Sequence, residues 1–292
     1  SKTANETNRK NNRHPVHNVD LRTVRLGEFP ADIDIVVGSP PCTQFSYANR
    51  GGNGNLAEGL EDIRTFLAIV DHLRPRFWAM ENVPRVARIL VKELKARGKL
   101  RAFRHLAPQI HTFSFEQFGL PQRRKRCIAG NFDIELFSSY ASKLTAPTLG
   151  DIIGALDADD VYDPLYGMGV PKNQLHDHEE EGFLSIEEVR INKASNTHHP
   201  IYTAMPFPDR LDAPSRTVTA TCTRVGRESI VISDAVTPDR LRRLTTRERA
   251  LLQSFPLAFQ FYSSSYREKI RLIGNAMPPL VVDAINWCES RV

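Results

Sequence analysis

Apolar and polar positions along the chain follow two periods. Residues 33–37 (Ile-Asp-Ile-Val-Val) and 77–80 (Phe-Trp-Ala-Met) are short apolar runs that predict buried strands. Between them Leu60, Ile63, Phe66, Leu67, Ile69, Val70 and Leu73 recur near helical spacing. That spacing predicts an amphipathic helix over 58–73, stopped by Arg74-Pro75. A second helix is expected from 85 to 99, with Val86, Ile89, Leu90 and Leu94 on its apolar face. Strand, helix, strand, helix in this order implies parallel strands joined by crossover helices. Further strands are expected at 110–115 and 127–132, a short helix at 3–12, and the end of a short strand at Val19-Asp20-Leu21.

From about 145 to 237 the periodicity weakens and turn residues multiply, among them Asp163-Pro164, Pro171, Pro200, Pro206, Pro208 and Pro214. This stretch reads as a separate small domain of short strands and loops. It contains a hydroxyl-rich, β-type run from Arg216 to Thr221. From Arg240 the pattern turns helical, with Thr245 and Glu248 at capping-box spacing. An apolar helix over 280–287 follows Ile273-Gly274-Asn275-Ala276-Met277-Pro278-Pro279.

Composition narrows the class. The 292 residues are 41% hydrophobic and 25% charged, ordinary for a globular protein with a proper core. No apolar run approaches the roughly 20 residues that span a bilayer. The net charge of +5, with a pI near 9.1, suits a polyanionic partner without requiring one. Cys42, Cys127, Cys222 and Cys288 are far apart, so neither a disulfide framework nor a zinc site is indicated. A reducing, cytoplasmic setting is expected. His176-Asp177-His178 and His198-His199 lack the spacing of a zinc helix, and no metal is expected.

The chemistry concentrates where the first strand ends, at Gly38-Ser39-Pro40-Pro41-Cys42-Thr43-Gln44-Phe45-Ser46. The carboxyl edge of an open α/β sheet is where ligands bind. A cysteine alone reads as a small buried apolar residue. Two prolines just before it restrict the backbone and aim the thiol, which tips the reading toward a nucleophile. The polar, glycine-rich loop that follows, to Asn55, reads as a lid. The second strand delivers Glu81-Asn82-Val83 to the same edge. Four of the five residues in Gln122-Arg123-Arg124-Lys125-Arg126 are cationic. If that segment is extended, Arg124 and Arg126 share one face.

Pro-Pro-Cys at 40–42, Glu-Asn-Val at 81–83 and Gln-Arg-Arg-Lys-Arg at 122–126 occur in one order with two later motifs. These are Arg-x-Leu-Thr-x-Arg-Glu-x-Ala-x-Leu-Gln-x-Phe-Pro at 242–256 and Ile-Gly-Asn-Ala-Met-Pro-Pro at 273–279. Together they resemble the DNA (cytosine-5) methyltransferase family over nearly the whole chain except about 150–210. The resemblance implies an α/β fold: a Rossmann-like sheet of the S-adenosylmethionine-dependent methyltransferases with helices on both faces, plus a small, mostly β or irregular target-recognition domain. Residues 1–144 and 273–292 would form the large domain, and 145–272 the small one. It also implies the reaction, in which Cys42 adds to C6 of a flipped-out cytosine and C5 takes the methyl group. Glu81 would hold N3 and the exocyclic amine, and Arg124 and Arg126 would face the base and its phosphate. Asp20, Leu21, Pro41, Asn275 and Ala276 would contact S-adenosylmethionine, which leaves as S-adenosylhomocysteine. Ser46, Gln122 and Thr217 would meet DNA. The implied partner is double-stranded DNA, with no membrane, a monomeric enzyme and a cognate restriction endonuclease acting on the same site. Cytosine methylation in tRNA, or non-catalytic DNA binding, are the alternatives. The family's opening strand and Phe-x-Gly-x-Gly turn have no match here, so an N-terminally truncated cofactor half is expected.

Overall fold

The computed structural model describes residues 2–45, 55–141, 144–158, 160–175, 177, 181–194 and 205–290. In chain order the strands are β1 Ile35–Gly38, β2 Phe77–Asn82, β3 Gln109–Ser114, β4 Gln122–Arg123, β5 Lys125–Gly130, β6 Asp160–Tyr162, β7 Gly169–Pro171, β8 Ser215–Arg216, β9 Val231–Ser233 and β10 Leu241–Arg243. The helices are α1 Lys2–Asn11, α2 Leu56–Leu73, α3 Arg85–Glu93, α4 Ile134–Ala141, α5 Leu149–Asp157, α6 Ile186–Ala194, α7 Thr246–Leu252, α8 Tyr266–Asn275 and α9 Pro279–Glu289. The fold is α/β. No helix among the described residues is long and apolar enough to cross a membrane.

The chain packs as two units. One comprises Val19–Gln117, Lys125–Leu144 and Val281–Val292. Its sheet has the order β1-β2-β5-β3. β1 and β2 are parallel, as the strand–helix–strand order predicts, and β5 runs antiparallel to both β2 and β3. All six residues of β2 are buried, because it lies between β1 and β5. The core joins Leu60, Ile63, Phe66 and Leu67 of α2 to Trp78 and Met80 of β2, Val86 and Leu90 of α3, and Cys127 and Ala129 of β5. Gly38 has no positive φ. It is needed for close packing: a Cβ there would stand 2.5 Å from the Phe66 ring.

The other unit comprises Ser1–Asn18, Phe118–Arg124 and Thr145–Leu280. Its core gathers Leu149, Ile152 and Leu156 of α5 with Ala250, Leu251 and Leu252 of α7, and with Val218, Ile230, Ile232 and Ile273. The contacts therefore divide the chain differently from the boundaries 1–144, 273–292 and 145–272. Asn11 shows why for α1: its side chain donates to the Gln260 carbonyl and accepts from the Gln260 amide.

Several elements depart from the expected pattern. In place of the strand end expected at 19–21, the chain enters a turn over 20–23, closed by the Thr23 N–H on the Asp20 carbonyl. Residues 241–243, expected helical, pair with β9, and the helix begins only after the Thr245 cap. The helix from Arg85 ends at Glu93, short of 99. Helices α4, α5, α6 and α8 lie in stretches with no helical expectation. In α8 many polar positions (Arg267, Glu268, Lys269, Arg271) dilute the apolar period.

Candidate active site

Gly38 stands opposite Met80 in the parallel ladder. Pro40 and Pro41 have no N–H, so a backbone ladder cannot continue through them. Side chains take over the lacing. Ser39 Oγ donates to Glu81 Oε2 at 2.6 Å, and Asn82 Nδ2 donates to the Pro40 carbonyl at 3.0 Å. This places Glu81 beside the residues that lead directly into Cys42. From the other side β5 pairs with β2, and Arg126 Nε holds Glu81 Oε1 at 2.9 Å. Glu81 is only 6% exposed, so its carboxyl lies in a largely dry setting with a donor on each oxygen. A buried ionisable group held this way is a mark of functional sites as well as of structural pairs.

Cys42 is half-buried and follows two residues of fixed φ. Its carbonyl accepts the Phe45 N–H at 3.0 Å, which closes a tight turn. Phe45 is fully buried, and Gly59 of α2 makes room for it: a Cβ at Gly59 would stand 2.5 Å from the ring. The turn that carries the thiol is thus pinned by its own aromatic residue. Cys127 also neighbours Glu81, but burial first, and the Glu81 charge second, push its thiol up to about 12. At neutral pH Cys127 stays protonated and enclosed, which leaves Cys42 as the accessible sulfur at this edge.

The remaining candidates in this unit are Asp20, Leu21 and Pro41. Arg22 holds the Asp20 carboxylate at 3.2 and 3.1 Å and keeps it below the usual carboxylate range. Leu21 is 47% exposed, and Pro41 is exposed. A carboxylate has about four acceptor positions, so Asp20 retains capacity for an amino group beside an uncovered apolar side chain. An acceptor beside an uncovered apolar side chain could receive an aromatic ring that carries an amino group. Ser46 lies outside the described residues, as does most of the loop to Asn55.

Five expected site residues lie in the other unit. Gln122 is fully buried; its amide donates to Leu252 O and Gln253 Oε1 and accepts from the Val218 N–H. Arg124 is 2% exposed and donates to the carbonyls of Val218 and Gly274, and at 3.4 Å to that of Ala276. The extended segment breaks between β4 and β5, where the Arg124 N–H turns back to the Gln122 carbonyl. Thr217 Oγ1 donates to the Arg123 carbonyl. Asn275 is exposed and Ala276 half-buried at the end of α8.

Sequence reasoning overlooked Ser39, which carried no signal beyond its place in the proline motif, and Gly59, whose role appears only once Phe45 is seen packed. Among the described residues no group of three or more His, Cys, Asp or Glu side chains is arranged to hold a metal.

The family model for C-5 cytosine-specific DNA methylases matches residues 1–287. The Type II methyltransferase M1.HphI of Haemophilus parahaemolyticus is 28% identical over 274 residues, spanning 87% of this chain and 67% of that relative. The Type II methyltransferase M.MthTI of Methanothermobacter thermautotrophicus is 26% identical over 292 residues, spanning 94% of this chain and 83% of that relative. Among solved structures, the S. pombe Dnmt2 methyltransferase shares the fold with a TM-score of 0.66 at 18% identity, covering 98% of this chain and 87% of its own. The proline-led cysteine, the buried glutamate beside it and a match along almost the whole sequence agree: the chain belongs to the C-5 cytosine-specific DNA methylase family.

Proposed function

We propose that this chain modifies a specific sequence in duplex DNA, as the names of its Type II relatives suggest, by methylating cytosine C5 through a covalent adduct at Cys42. The observation that carries the reading is the Glu81 carboxyl, buried and held by Ser39 and Arg126, beside the strand end that presents Cys42.

Cytosine C5 is a poor nucleophile. When Cys42 Sγ bonds to C6, the C5–C6 double bond gives up its electrons and the ring nitrogen N3 takes the negative charge. Glu81 answers that charge with a proton or a short hydrogen bond at N3, general acid help typically worth about 10²–10⁴-fold. Arg126 keeps Glu81 oriented and would hold the base near its O2 carbonyl. C5 then takes the methyl group; a water molecule accepts the C5 proton, the electrons of that C–H bond restore the C5–C6 double bond as the C6–S bond breaks to return the thiolate, and N3 gives its proton back to Glu81. S-adenosylmethionine, when bound, supplies the methyl group as a sulfonium; Asp20 and Leu21 would hold its adenine, with Pro41 alongside. A ring enclosed by Cys42 and Glu81 cannot remain stacked in a duplex, so the base is flipped out. Residues 145–272 would read the sequence, with Thr217 in that region.

The test is transfer of a labelled methyl group to duplex DNA and to tRNA, side by side, followed by bisulfite sequencing of the DNA. Labelling confined to cytosines in one duplex sequence supports the reading. Labelling of tRNA alone would move the substrate to RNA, and labelling of neither would favour a non-catalytic relative.

A further inference from the structure

We propose that Ser39 is a positioning residue for Glu81: its hydroxyl fixes which carboxyl oxygen is turned toward the cytosine ring, in whichever proton state the carboxyl stands. The proposal rests on the reading of Cys42 and Glu81 as the reacting pair.

A glutamate side chain has three rotatable bonds, and its terminal torsion is broad. Arg126 holds one oxygen, Oε1. A carboxyl held at one oxygen alone can still swing about that contact. Ser39 holds the other, Oε2, from a different strand end, and its 2.6 Å contact is in the range of a charge-assisted O–H···O bond. Two anchors on two oxygens define the plane of the group, and small errors in that plane carry large rate penalties.

The type of anchor matters as much as its place. A guanidinium or amide N–H can only donate, so it favours a carboxylate. A hydroxyl donates to a carboxylate and accepts from a carboxylic acid after rotating. Ser39 can therefore keep its contact while Glu81 gives and regains a proton. Nothing else in the local fold requires this bond. The strand end is separately held by Asn82 on the Pro40 carbonyl, and the Cys42 turn by buried Phe45. Ser39 itself is exposed, so removal of its hydroxyl opens no cavity in the core, and Glu81 keeps its charged partner Arg126.

The experiment compares wild type, Ser39→Ala, and the isosteric pair Ser39→Thr and Ser39→Val in the full chain. Three quantities are measured: single-turnover methyl transfer at saturating duplex DNA, DNA affinity and thermal melting. Loss of one hydrogen bond made to the reacting group should slow Ser39→Ala and Ser39→Val about tenfold. Their DNA affinity should stay within about twofold of wild type, and Ser39→Thr should recover most of the rate. Equal rates for the Thr and Val variants would overturn the proposal. So would a slow Ser39→Ala whose loss tracks weaker DNA binding or lower melting. A Cys42→Ser control separates the two levels. If Cys42→Ser is inert while Ser39→Ala matches wild type, only the role of Ser39 fails. If Cys42→Ser still transfers methyl groups, the parent reading fails.

Discussion

Two arginines two residues apart meet different fates, and the difference can be tested. Arg124 is enclosed and donates to backbone carbonyls, whereas Arg126 is paired with Glu81. Arg124→Ala should destabilise the fold by roughly 3 kcal/mol or more, since it leaves buried carbonyls without their charged donor. Arg126→Ala should also cost stability, because it strands the buried Glu81 carboxyl, and should lose methyl transfer by about 10²-fold or more even under conditions where it stays folded. Urea titrations and single-turnover rates measure the two effects, and the reverse pattern would place Arg124 at the chemistry. Among the cysteines, Cys127→Ala should retain transfer within a few-fold and Cys42→Ser should not. At this scale the sequence was half legible. Pro40-Pro41-Cys42 and Glu81 could be picked out because strand ends and proline geometry are local properties. The split between Arg124 and Arg126 could not, because it depends on a one-residue break between β4 and β5. Nor could Ser39, whose partner is 42 positions away.

At the scale of elements, α7 shows how a local signal becomes a structural joint. Thr245 caps it, and Glu248 reaches back to the Thr245 N–H, as their spacing predicts. Glu248 is fully buried and also takes the Arg242 guanidinium at 2.9 and 2.7 Å. Thr245→Ala should therefore lower stability by about 1 kcal/mol. Glu248→Ala should lower it by about 3–5 kcal/mol, because it strands a largely buried arginine. A second pair gives a pH signature. The Arg224 side chain draws Glu188, the third residue of α6, down to about 2 from its ordinary 4.5. A depressed carboxylate stabilises the fold at neutral pH, and that contribution fades as pH falls from 4.5 toward 2. Glu188→Gln should accordingly melt below wild type at pH 7, with the gap closing across that window. A gap that persists unchanged at acid pH would deny the ion pair its role. Strong periods such as that of α2 were readable in advance, as was the capping box. Short strands such as β8 were not, since two-residue pairings leave no period to detect.

For the whole molecule, two separate apolar cores and a net charge of +5 describe a chain with a conventional interior and a mildly cationic exterior. If DNA is the substrate, phosphate contacts should make binding salt-sensitive, weakening it by roughly tenfold or more between 50 and 200 mM salt. Binding that ignores salt would argue against a duplex partner. The order of motifs announced the family, since each motif lies at a strand end or a cap. The grouping of residues into units was not announced: α1 and residues 118–124 join the second unit through side-chain bonds such as those of Asn11 and Gln122, which no periodicity encodes. The chemistry proposed for this chain comes down to one sulfur and one ring carbon. The most direct measurement is mass spectrometry of the full chain incubated with S-adenosylmethionine and duplex DNA carrying 5-fluorocytosine at the target position, where the fluorine cannot leave as a proton does and the adduct persists. The expected product is a covalent protein–DNA species whose attachment maps to Cys42, absent in Cys42→Ser and sharply reduced in Glu81→Gln. Adduct formation that survives in Cys42→Ser, or no adduct alongside methylation of ordinary cytosine, would contradict it.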